Sequence, residues 1–254
     1  MDRATLDAAY NNSAAVKNST QKVAEWQERS DRLRHLSREL RYGEAQRNRI
    51  DYLEAKKGGP LLVFIHGGYW QMRAKENFTF IAEGPLAHGI NVALVGYTLA
   101  PEKRLDAIVK EIRSALDFLS DINSGYMVTG WSAGGHLTAM AMPHPCVKAG
   151  LAISGIFDLE PIRLSYLNEK LRLDEGEARR NSPILNYLTE KPLLLAYGTS
   201  ELPELQRQSQ AYAAERKRAE LRPLEGHDHF SILEELASPT GALTNMVRAF
   251  LSPH

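Results

Sequence analysis

The segment that most constrains this chain is the run Tyr126-Met-Val-Thr, followed at once by Gly130-Trp-Ser-Ala-Gly134 and then by Gly135-His-Leu-Thr-Ala-Met-Ala-Met before Pro143. The first part reads as a short buried strand and the last as a helix stopped by proline. A strand that turns directly into a helix bends so sharply that a side chain two residues before or after the apex would meet neighbouring backbone, so glycine is required on both sides of the serine. The bend lifts the Ser132 hydroxyl above the sheet. It also sets the first helical turn beneath it, where free N–H groups and the positive dipole end favour a developing negative charge. Ser132 is the candidate nucleophile.

Around this segment, short apolar runs alternate with amphipathic stretches, the pattern of a mostly parallel sheet covered by helices. Strands are predicted at about 47–54, 61–65, 92–97, 126–129, 149–154, 193–197 and 221–224, with helices at about 77–88, 105–122, 133–142, 204–219 and 240–251. Lys56-Lys-Gly-Gly-Pro60 has turn composition and predicts a hairpin between the first two strands, which makes the first an antiparallel edge. Residues 5–40 carry apolar positions at helical spacing and are expected to form an N-terminal helical segment. Residues 158–188 are charged and irregular, and read as a cap excursion over one end of the sheet. No repeat or linker divides the chain, so one domain spanning 1–254 is expected.

The predicted strand Leu61-Leu-Val-Phe-Ile ends in His66-Gly-Gly-Tyr-Trp70. Two glycines directly after a buried strand leave backbone N–H groups uncovered by side chains and free to hold an oxyanion. With the N–H of Ala133, the residue after the nucleophile, Gly67 and Gly68 would form the oxyanion hole of an α/β-hydrolase fold. His66 is read as orienting this loop, because in that fold the base comes last in the chain. Tyr69 and Trp70, just beyond the glycines, and Trp131, beside the serine, are the candidates for lining the substrate pocket.

The base is expected after the last strand, in Gly226-His-Asp-His-Phe230, where spacing leaves His227 and His229 both open. His136, one helical turn after Ser132, is read as structural, while His35, His88, His144 and His254 have no catalytic context. A carboxylate must hold the imidazole in its working tautomer. Glu201, in the loop after the penultimate strand, is the leading choice. Pro203 reads as the first residue of the next helix and Glu204 as an acid of its first turn. Asp158, at the end of Ser154-Gly-Ile-Phe-Asp158, competes with Glu201; Asp228 is adjacent to both histidines and poorly placed to reach either.

Composition narrows the partners. Lys plus Arg equals Asp plus Glu at 31 each, which gives no electrostatic reason to expect nucleic acid or an anionic membrane surface. A small-molecule substrate is expected, with a homodimer as an option. Cys146 is the only cysteine, so no internal disulfide can form, and neither a signal-peptide run nor a membrane-length apolar segment is visible. These features predict a cytoplasmic protein. No histidine or cysteine cluster has metal-ligand spacing, and neither a metal nor an organic cofactor is expected.

Several of these segments together resemble the arylformamidase (kynurenine formamidase) branch of the α/β-hydrolases: His-Gly-Gly-Tyr-Trp at 66–70, Gly-Trp-Ser-Ala-Gly-Gly-His-Leu at 130–137, Ser-Gly-Ile-Phe-Asp-Leu-Glu-Pro-Ile at 154–162, Arg-Asn-Ser-Pro at 180–183, Pro-Glu-Leu-Gln-Arg-Gln-Ser at 203–209 and Asp-His-Phe at 228–230. The resemblance runs from about residue 45 to the C-terminus. It implies Ser132 as nucleophile, Glu201 as acid, His229 rather than His227 as base, and Gly67 and Gly68 as oxyanion loop. The chain departs from the animal formamidases in carrying glutamate at 201 where they have aspartate. The implied activity is hydrolysis of a short-acyl, formyl-type arylamide through an acyl-enzyme. A short-chain carboxylesterase is the alternative, and a non-catalytic small-molecule receptor on the same fold is the reading from another class. Receptors of that kind ordinarily carry a broken triad, whereas every member has a candidate here.

Overall fold

The computed structural model describes residues 2–186 and 189–251. The chain opens with three helices, α1 (Arg3–Ala9), α2 (Asn12–Ala15) and α3 (Ser19–Leu33), followed by a 3₁₀ turn and strand β1 (Ser37–Arg41). Strands β2 (Arg49–Leu53) and β3 (Leu61–Ile65) come next, then a 3₁₀ segment at Lys75–Ala82, the single turn α4 (Glu83–Leu86) and β4 (Asn91–Val95). Helix α5 (Leu105–Ser120), β5 (Tyr126–Trp131), α6 (Ala133–Ala141) and β6 (Val147–Ile153) lead to the cap, made of α7 (Glu160–Arg163), α8 (Asn168–Leu171) and α9 (Glu175–Arg180). The chain then completes the fold with β7 (Leu193–Gly198), α10 (Pro203–Ala214), β8 (Ala219–Leu224), α11 (Glu234–Ala237) and α12 (Ala242–Leu251). Of the earlier assignments, His254 and the end of the cap excursion, residues 187–188, lie outside the described residues.

The eight strands form one sheet in the order β1-β2-β4-β3-β5-β6-β7-β8. Pairing is parallel from β4 through β8, and antiparallel only where β2 meets β1 and β4. The central strands are buried on both faces, which is why β3, β4 and β5 read as unbroken apolar runs. Alternate residues still serve different layers. Leu61, Val63 and Ile65 of β3 face the cluster with α5, α6 and Leu205 and Tyr212 of α10, while Leu62 and Phe64 face the one holding Trp26 of α3 and Leu243 and Val247 of α12.

Two expectations about the N-terminal half need correction. The predicted helical segment 5–40 ends early, because Ser37-Arg-Glu-Leu-Arg41 forms β1. That strand carries no apolar alternation: it is a sheet edge with no fully buried residue, so no hydrophobic pattern marks it. The predicted hairpin across Lys56–Pro60 does not pair its flanking strands. β2 pairs with β4 instead, with Ile50 opposite Val95 and Leu53 opposite Val92, so β2 is antiparallel as expected but lies inside the sheet. Loop length alone does not say which of two buried neighbours a strand joins.

Candidate active site

The elbow forms because glycine alone fits it. A Cβ on Gly130 would stand 2.3 Å from the Gly134 carbonyl oxygen, and one on Gly134 would stand 1.9 Å from the carbonyl oxygen of Ile65 on β3. Between them Ser132 takes φ 58° and ψ −118° as the residue capping α6, a strained conformation for a residue with a side chain. Its own N–H is tied to the Ile153 carbonyl at 2.8 Å, which fixes the elbow to β6. Ala133 is the first helical residue, so by position its N–H lacks a partner within the helix.

The oxyanion loop packs directly on this elbow. A Cβ on Gly67 would come 2.6 Å from the Trp131 carbonyl oxygen and 3.1 Å from the Ser132 Cβ. Among the described residues, neither the Gly67 nor the Gly68 amide donates a hydrogen bond to the protein. His66 is fully buried, its Nδ1–H donating to the Gly67 carbonyl at 2.7 Å and its ring stacked 4.3 Å from Tyr97. Turning the Gly67 carbonyl toward His66 positions the loop; the histidine does not touch the serine.

His229 closes the constellation, with Nε2 lying 3.1 Å from Ser132 Oγ and Nδ1 lying 2.8 Å from Glu201 Oε2. The second carboxylate oxygen, Oε1, accepts hydrogen bonds from the Gly198 amide at 2.7 Å and the Ser154 hydroxyl at 2.6 Å. Ser132, Glu201 and His229 are all buried, and only 2% of Ser132 is exposed. Trp131 holds the histidine loop from behind: its indole N–H donates to the His229 carbonyl at 2.8 Å, and the two rings are 4.8 Å apart.

The competing residues are placed elsewhere. His227 is half-buried and pairs with Glu235 at 3.4 Å. Asp158 accepts from the Glu160 amide at the start of α7, and Asp228 accepts from the Phe230 and Ser231 amides, which shapes the turn that presents His229. Glu204 sits in the first turn of α10, where the Tyr10 hydroxyl donates to it at 2.7 Å and Arg207 pairs with it. His136 donates from Nε2 to the Asn181 carbonyl at 2.7 Å and accepts at Nδ1 from Trp70. Burial pushes both His66 and His136 down to about 4, so both are neutral at pH 7. Unfolded histidine protonates near 6.5, so this contribution to stability is complete above that pH and is withdrawn as the pH falls toward 4.

The pocket-lining expectation needs correction at Trp70, which is wholly buried with its indole N–H engaged by His136. Trp131 is packed among Trp26, Phe78 and Phe230, with its ring against His229. Tyr69 is also buried; its hydroxyl donates to the Tyr10 carbonyl at 2.6 Å and accepts from Asn12 Nδ2 at 2.8 Å, strapping the N-terminal helices to the oxyanion loop. Sequence reasoning passed over Ser154. It lies in the Ser-Gly pair that ends β6 and takes a left-handed φ of 51°, and a small polar residue at a strand's carboxyl end was the available signal. Replacing Ser154 with alanine removes one of the two donors to Glu201 Oε1. We expect kcat to fall about tenfold with KM little changed; steady-state kinetics on an aryl ester checks this, and an unaltered kcat would mean the Gly198 amide alone holds the carboxylate.

Comparison with known proteins adds the family context. Residues 52–146 match the family model described as BD-FAE. The chain is similar to a kynurenine formamidase of Danio rerio, with 34% identity over 81% of this chain and 78% of that protein. It is also similar to a kynurenine formamidase of Salmo salar, with 32% identity over 91% and 87%. A crystal structure from Silicibacter sp. TM1040 superimposes with a TM-score of 0.89 at 28% identity, covering 95% of this chain and 98% of that one.

Proposed function

This chain belongs to the kynurenine formamidase family and is an enzyme of the α/β-hydrolase type, and from that premise we propose that it is a serine hydrolase that cleaves a formyl-type arylamide through an acyl-enzyme. One observation carries the reading: the unbroken relay from Glu201 through His229 to Ser132, at 2.8 and 3.1 Å, beside two glycine amides with no partner among the described residues.

In this mechanism Ser132 Oγ passes its proton to His229 Nε2 and attacks the carbonyl carbon. The amides of Gly67, Gly68 and Ala133 receive the oxygen as it becomes negative. The imidazolium, held by Glu201, gives its proton to the leaving nitrogen as the C–N bond breaks, and water then repeats the sequence to release the short acid. The near-complete burial of Ser132 supports a small acyl group, since a bulky one would have to displace packed side chains. The lone Cys146 is in keeping with a cytoplasmic setting; among the described residues no helix is long and apolar enough to cross a membrane.

The test is hydrolysis by the purified protein of N-formylkynurenine and of 4-nitrophenyl acetate. Formamide turnover with the higher kcat/KM is expected. Ester cleavage without any formamide turnover would replace this reading with a short-chain carboxylesterase, and hydrolysis of neither would favour a receptor.

A further inference from the structure

Arg73 stands apart from the other partly buried arginines of this protein. Arg29 bridges Glu83 and Glu234, Arg49 lies 3.7 Å from Glu39, and Arg163 pairs with Glu160. Among the described residues the Arg73 guanidinium has no carboxylate, carbonyl or hydroxyl on any of its five N–H groups, while partial burial holds it below the usual arginine range. Three acids of the neighbouring segments are already engaged, since Asp51, Glu76 and Glu39 converge on Lys75 Nζ at 2.7, 2.7 and 3.3 Å. A cation half-withdrawn from water with every donor free is a group that lacks its anion.

Its position says which anion. Arg73 follows the oxyanion loop and is held at a left-handed φ of 75°, with its carbonyl fastened by Arg47 Nη1 at 2.9 Å. The aliphatic stem occupies the space beside Gly68: a Cβ there would stand 2.9 Å from Arg73 Cγ and 2.2 Å from the Met72 carbonyl oxygen. The bare glycine that exposes an oxyanion amide thus also seats the arginine. The same edge is apolar, because Met72 is exposed next to Arg73, and Gln71 Nε2 donates to the Leu167 carbonyl at 3.2 Å, bringing the loop against the part of the cap where Leu164 and Tyr166 are exposed.

We propose that Arg73 is a specificity-determining residue that receives the carboxylate of an aryl-amide substrate whose scissile carbonyl lies at Gly67 and Gly68, the ring lying along the Met72 and Tyr166 edge. This rests on the formamide reading above and deepens it. The measured quantity is the ratio of kcat/KM for N-formylkynurenine, which carries a carboxylate, to that for formanilide, which does not. Arg73→Met should lower this ratio about 10- to 100-fold, through KM for the carboxylate substrate, and Arg73→Lys should recover part of the loss. An unchanged ratio would overturn the proposal. If the wild-type protein hydrolyses esters but no formamide, the reading above fails separately, and the same variants are then compared on 4-acetoxybenzoate and phenyl acetate. A fall in that ratio supports Arg73 as the carboxylate site, and an unchanged one overturns it.

Discussion

Ser132→Ala is expected to lower kcat by a factor on the order of 10⁵ to 10⁶, the scale seen when a hydrolase nucleophile is removed. The geometry isolates this effect. Ser132 Oγ bonds only to His229 Nε2 among the described residues, and the Cβ that alanine retains already occupies its place at φ 58°. The strained backbone is held by the glycines at 130 and 134 and by the bond from the Ser132 amide to Ile153, none of which the substitution touches. Stability should therefore change by less than about 1 kcal/mol. Substrate should still bind, since the Gly67, Gly68 and Ala133 amides are unaltered. Single-turnover kinetics, thermal unfolding and equilibrium binding measured on one preparation separate these outcomes, and turnover within tenfold of wild type would sink the nucleophile assignment.

Glu201→Gln should lower kcat by about 10³ to 10⁴. The reason is directional. Oε1 accepts from both Ser154 and Gly198, so the glutamine carbonyl oxygen belongs there and its NH₂ is turned toward His229 Nδ1. Two donors cannot face each other. Nδ1 must then act as acceptor, the ring proton moves to Nε2, and the nitrogen facing Ser132 can no longer take the serine proton. The charge that stabilises the imidazolium is lost as well. Asp158→Asn is the matched control: the Asp158 carboxylate accepts from the Glu160 amide at 3.1 Å, and the change should alter kcat less than about threefold. A large loss in Asp158→Asn with near-normal activity in Glu201→Gln would mean that a different carboxylate serves the histidine.

The two corrected features of the fold trace to a common cause. β1 is a polar edge strand, so its five residues bear no mark of the sheet they join. β2 is apolar enough to be recognised, but its partner is β4, about forty residues away, and not the β3 that follows the Lys56–Pro60 turn. Helix starts were closer, because N-terminal signals are local: α10 begins at Pro203 as its ring geometry favours, but it ends at Ala214 and not near 219, where Ala219 already belongs to β8. The predicted helix at 77–88 became a 3₁₀ segment and a single turn, with Phe78, Phe80 and Ile81 packed under α3.

The candidate site divides along the same line. Glycine at 67, 130 and 134 and the serine between the last two were legible from sequence because they stand in short contiguous motifs directly after buried strands, although the backbone that excludes a Cβ at 67 and 134 belongs to Trp131 and Ile65, on other strands. Only the folded chain distinguishes His229 from His227 and Glu201 from Asp158 by distance, since those contacts join residues 97 and 28 positions apart. The same holds for Ser154 behind the carboxylate, for Trp70 buried against His136, and for Arg73, whose guanidinium has no hydrogen-bond partner among the described residues. A contiguous strand-turn-helix motif can be read in order, but which side chains meet across the carboxyl edge of a sheet depends on strand order and on loops closing from several directions, and no short stretch of the chain contains that information.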